Sequence, residues 1–88
     1  MDRDLALKEF GASLRKARKI VGKTQLSLGV ELGFESGQFV SNLERGLRSL
    51  PPKYIPKLSI ALQIDQDDVL DRLLRIHCLR ITERVGNR

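Results

Sequence analysis

Apolar residues along this chain fall into helical spacing in five successive stretches. From about Asp4 to Val21, Leu7, Phe10, Leu14, Ala17 and Val21 recur every three or four residues among charges, the period of a helix with one buried face. Gly22 closes it, where a left-handed residue satisfies the last carbonyls. Thr24 then offers a hydroxyl to an orphan amide two or three residues on, opening a second helix whose Leu28 and Leu32 face inward. Gly29 reads as a packing choice, a bare Cα where a short helix crosses its neighbour closely. Gly33 stops this helix, Phe34 plugs the corner, and Ser36 is a cap for a third helix within 36–45, which Gly46 ends.

Ser49 to Pro52 form a rigid connection before Ile55, Leu58 and Leu62 outline a fourth helix. Pro52 suits a first turn, whereas Pro56 removes a backbone bond, so an irregular start is expected. Asp65 caps a fifth helix, with Asp67 and Asp68 where the helix dipole favours negative charge. On it Leu70, Leu73, Leu74, His77 and Ile81 share one side, Val69 and Ile76 widen that side, and Cys78 and Leu79 lie elsewhere. So much apolar surface exceeds what one small bundle can cover and implies a second copy of the chain. Leu73, Ile76, His77, Leu79 and Ile81 are the expected dimer contact. After Ile76 the alternation of Leu79, Ile81 and Val85 equally fits a strand paired across the twofold. Residues 1–75 are thus expected to form the domain, and 76–88 an extension that dimerises.

Eighty-eight residues make one domain with a single small core. At 41% hydrophobic, 31% charged and 5% aromatic, without tryptophan, the composition suits an all-α bundle. The lone Cys78 excludes an internal disulfide, and with His77 as its only soft companion a structural zinc site lacks donors, so neither metal nor cofactor is expected. Met1-Asp2-Arg3-Asp4 is no apolar signal core, and no run of roughly eighteen apolar residues occurs, which predicts a cytoplasmic protein that does not meet a membrane. The net charge of +5 is unevenly placed. Arg15, Lys16, Arg18, Lys19, Lys23, Arg45, Arg48, Lys53 and Lys57 face only Glu31, Glu35 and Glu44, while acids and arginines balance from Asp65 onward. The first two-thirds of the chain suits a polyanion.

Laid out at about 100° per residue, the third helix puts Gln38, Ser41, Asn42 and Arg45 within an arc of roughly 100°, opposite Phe39, Val40, Leu43 and Glu44. Together with Thr24-Gln25, Leu28, Gly33 and the run Ser41-Asn42-Leu43-Glu44-Arg45-Gly46, and with Arg18 ahead of them, this segment resembles the helix-turn-helix family of phage Cro and repressor proteins, the xenobiotic-response-element family. The likeness covers about Leu5 to Leu74. It implies a five-helix, lambda-repressor-like fold and double-stranded DNA as partner. The third helix would then lie in the major groove, where every base pair shows a distinct donor and acceptor pattern, and Gln38, Ser41, Asn42 and Arg45 would read it. Gln38 and Asn42 can each bond an adenine twice, whereas Ser41 is short and suits a phosphate or a water. Lys23, Thr24, Gln25, Arg48 and Lys53 would bind phosphates, Gln25 at the positive end of the second helix. Arg18 and Glu44 match the family's internal ion pair, which positions the reading helix. The blander reading of each is a solvated helix face, a cap or an inert surface lysine.

Two features depart from the family pattern. The turn before Ser36 carries an additional residue within Phe34-Glu35, which shifts the approach angle of the third helix and moves base assignments by a position, and Gly37 stands where the family often carries a polar reader. Phe39 is either a core residue or a contact for a thymine methyl. Catalysis is excluded: His77 lies on an apolar stripe without an acidic neighbour, and the glycines are dispersed at helix ends. The expected function is a sequence-specific regulator, a repressor acting as a homodimer. The competing class is an antitoxin or adaptor that binds another protein through its C-terminal apolar surface.

Overall fold

A computed structural model describes the backbone of residues 3–86 and the side chains of residues 4–76. The helices are α1 (Arg3–Ile20), α2 (Gln25–Glu31), α3 (Gln38–Glu44), α4 (Ile55–Leu62) and α5 (Gln66–Gly86). No strand occurs among the described residues, and the five expected helices are present. The irregular start foreseen for the fourth is a 3-10 turn, Pro52–Tyr54, that runs straight into α4. No helix among the described residues is long and apolar enough to cross a membrane.

Four of the helices end alike. After α1, α2 and α3 a positive-φ glycine (Gly22, Gly33, Gly46) lets the next amide reach back over a full turn, as Leu47 N–H does to the Asn42 carbonyl at 3.0 Å. Gln63 does the same after α4 with φ 56°, a conformation more costly for a residue with a side chain. These abrupt stops keep α2 and α3 short and hold them against each other.

The core is one cluster. Leu7, Phe10 and Leu14 from α1 meet Leu28 and Leu32 from α2, Val40 and Leu43 from α3, and Ile55, Leu58 and Leu62 from α4; Leu28, Val40, Leu43, Leu58 and Leu62 are among its most deeply buried members. A Cβ on Gly29 would strike the Ser36 carbonyl oxygen, so the bare Cα foreseen there does permit a close α2–α3 approach. Gly11 does the equivalent for α1 and α3, because a Cβ would run into the Leu43 and Glu44 carbonyl oxygens. Gly11→Ala is therefore expected to destabilise the fold by about 1–3 kcal/mol in urea unfolding, despite alanine's better helix propensity. An equally stable or more stable variant would mean that the two helices can part at no cost.

The fifth helix divides the residues expected at the dimer contact by their burial within the protomer. Ile76 is only 6% exposed and belongs to the protomer's own core, with Val69; Leu73 packs half-buried against it. The 69, 73, 76 spacing turns that stripe toward the protomer's own core. Leu70 and Leu74 are the apolar residues left outside, at 41% and 53% exposure. The side chains of His77, Leu79 and Ile81 lie outside the described residues. The backbone there continues as helix to Gly86, which decides between the helix and the strand left open by the sequence.

Candidate nucleic-acid interface

The second and third helices meet at the turn that the sequence marked. Thr24 caps α2 through a reciprocal pair: its Oγ1 accepts from the Ser27 amide and the Ser27 Oγ accepts from the Thr24 amide, both at 3.0 Å. Helix α3 begins two residues later than Ser36, with Gly37 as its N-cap, and the Ser36 hydroxyl still accepts from the Gln38 amide at 3.3 Å. Gly37 is small for a reason other than base reading. A Cβ there would lie 2.9 Å from the backbone of Gln25 and Leu26, so this glycine lets the start of α3 sit against the start of α2.

On α3 the two faces divide as expected. Phe39, Val40, Leu43 and Glu44 are buried, Gln38 and Arg45 are exposed, and Ser41 and Asn42 are half-exposed. Gln38 Nε2 donates to Asn42 Oδ1 at 3.0 Å, one turn apart. That bond leaves the side-chain oxygen of Gln38 and the amide nitrogen of Asn42 without a partner among the described residues. An adenine edge offers the matching donor and acceptor.

Phe39 serves the interior. At 7% exposure it stacks on Phe34, with ring centroids 4.2 Å apart, and Tyr54 closes the group at 5.3 Å from Phe34 and 5.2 Å from Phe39. Two of the expected phosphate ligands rest on this cluster. The Arg48 guanidinium lies 4.9 Å above the Phe39 ring, and the Lys53 ammonium 5.2 Å from the Tyr54 ring. Phe34, in the turn between α2 and α3, thus helps to build the floor under the cations that flank α3.

Arg18 and Glu44 form the expected pair. The arginine donates from Nε to Oε2 at 2.6 Å and from Nη2 to Oε1 at 3.1 Å, with both residues buried, and its Nη1 donates to the Lys23 carbonyl at 2.9 Å. The hydrogen bond that Arg18 donates to Glu44, together with the charge of that carboxylate, holds the guanidinium above its ordinary pKa against the opposing effect of burial. Gln25 Nε2 also donates to Glu44 Oε1, at 3.0 Å. One carboxylate therefore ties the end of α3 to α1 and to the start of α2.

The remaining phosphate candidates are differently placed. Lys23 is bound by both oxygens of Glu31, at 2.8 and 2.9 Å, which offsets the charge assigned to it. Among the described residues the side-chain carbonyl of Gln25 and its second amide hydrogen have no partner. Thr24 combines its capping role with an exposed position at the head of α2. Gly11, Ser27 and the Gln25–Glu44 bond escaped the sequence reading.

Comparison with known proteins agrees with this geometry. The helix-turn-helix family model matches residues 14–68. Among solved structures the chain is similar to the restriction-modification controller protein C.AhdI from Aeromonas hydrophila, at 32% identity and a TM-score of 0.68, over 78% of this chain and 99% of that one. A search of curated proteins found no match. The buried Arg18–Glu44 tie, the two short helices and these likenesses converge, and the chain belongs to the helix-turn-helix family of Cro/C1-type DNA-binding proteins.

Proposed function

We propose that this DNA-binding transcriptional regulator is a repressor that occupies its operator as a homodimer. Gln38, Ser41, Asn42 and Arg45 read base edges in the major groove, Arg48 and Lys53 hold phosphates on one side, and the head of α2 at Thr24 and Gln25 meets the backbone on the other. The observation that carries this reading is the hydrogen-bonded Gln38–Asn42 pair on an exposed face whose reverse side is locked into the core. The likeness to a restriction-modification controller favours a regulator over an antitoxin or adaptor, and we take genes of such a system as the target class. Its work lies in the cytoplasm with its DNA.

A single seven-residue helix touches too few bases for useful discrimination, which is the argument for a dimer. Two such helices about 34 Å apart would meet successive major grooves of a near-palindrome. We assign the contact to the outer side of α5, with Leu70 and Leu74 at its centre and Leu73 at its edge; His77 and Ile81 follow them at seven-residue spacing in the sequence. Leu70→Lys with Leu74→Lys is expected to shift sedimentation equilibrium from dimer to monomer without loss of helix content. An unchanged dimer would overturn that contact. The regulator reading itself is tested by selecting bound duplexes from a random pool at fixed salt. It expects an enriched motif of two inverted half-sites, and fails if nothing is enriched.

A further inference from the structure

The outer face of α1 carries charge that neither the core nor the reading helix uses. Arg15, Lys16 and Lys19 are all exposed and surround Ala12 and Ile20 in a shallow open surface. None of the three makes a hydrogen bond or ion pair with another described residue. Like charges three and four residues apart on a helix repel, so this grouping destabilises α1 until an outside anion offsets it.

Its position says which anion. Helix α1 ends only a few residues before α2 begins, and the Arg18 bond to the Lys23 carbonyl fixes the last turn of one beside the first turn of the other. That first turn is the proposed phosphate grip, yet Glu31 offsets its nearest lysine and Glu44 takes an amide hydrogen of Gln25. On the far side of α3, Arg48 and Lys53 keep exposed cationic heads. A helix seated in a groove meets phosphates on both sides, and the α1 cations supply the charge that the α2 side lacks. Helix α5, the proposed dimer element, packs on the side of α1 that carries Ser13, where Arg72 Nη1 donates to Ser13 Oγ at 2.7 Å; at roughly 100° per residue Arg15 and Lys19 lie about 160° and about 120° around the helix from Ser13, and Lys16 about 60°. Arg15 and Lys19 are thus turned away from the twofold.

We propose that Arg15, Lys16 and Lys19 bind phosphates of the same duplex beyond the distal end of each half-site, extending the grip into DNA whose sequence the protein does not read. This rests on the regulator reading above. The test uses the selected operator in two lengths, one ending at the recognised bases and one with roughly a further helical turn of unrelated sequence on each side. The intact protein is expected to bind the longer duplex more tightly, with a salt dependence steeper by about 0.9 for each additional phosphate neutralised. The triple variant Arg15→Gln, Lys16→Gln, Lys19→Gln, with a thermal melt no lower than that of the intact protein, should lose that gain and bind the short duplex as the intact protein does. Specific binding with no flank gain, a gain that survives in the variant, or equal weakening on both lengths overturns the α1 assignment alone. Failure of the intact protein to prefer any duplex overturns it together with the regulator reading.

Discussion

Glu44→Ala is expected to remove about 3–5 kcal/mol of stability, the largest effect of any single substitution considered for this chain. The carboxylate accepts two bonds from Arg18 and one from Gln25, and its loss would leave an arginine only 8% exposed with the Lys23 carbonyl as its remaining described partner. A domain of this size holds of the order of 5–15 kcal/mol in total, so the variant would be near the edge of folding. Urea unfolding measures it, and a loss below about 1 kcal/mol would mean that the pair behaves as a surface contact.

The double variant Arg18→Met, Glu44→Leu separates stability from positioning. Two apolar residues in place of a buried ion pair leave stability nearly unchanged or raise it, because neither charge must then be desolvated. Specific DNA binding should still fall, since the bonds that fix the end of α3 against α1 and α2 are gone. A double variant that binds its operator normally would show that core packing alone sets the angle of the reading helix.

Much of this was legible in the sequence because it depends on local rules. Gly22, Gly33 and Gly46 mark helix ends whose φ values are positive, Thr24 marks a cap, and the period of Phe39, Val40, Leu43 and Glu44 separates the faces of α3. What escaped depends on meetings between distant segments. Gly11 looks like an ordinary cost inside a helix, and only the crossing with α3 explains it. Lys23 and Arg15 are equally basic on paper, but Glu31 folds onto one of them alone. The apolar residues of α5 nearly encircle it, so periodicity could not say that Ile76 turns inward while Leu70 and Leu74 stay out. Phe34 reads from the sequence as a plug for the corner between α2 and α3, and only the fold shows its stack with Phe39 and Tyr54 beneath Arg48 and Lys53.

Replacing Gln38 and Asn42 with alanine is expected to erase preference for the selected duplex. Each good bidentate contact to a base contributes about 1–3 kcal/mol of discrimination, and a factor of ten in affinity corresponds to about 1.4 kcal/mol. The two losses should not add, because Gln38 Nε2 holds Asn42 Oδ1, and removing either releases the other from its aim. Each single variant should therefore resemble the double. The fold should be spared, since both side chains point out from α3 and neither belongs to the core. Lys53→Ala provides the contrast: it should weaken binding alike for selected and unselected duplexes and lower the salt slope by about one. If the Gln38 and Asn42 variant instead loses affinity for every duplex equally, or recovers the same motif from a random pool, sequence is being read by something other than the exposed stripe of α3.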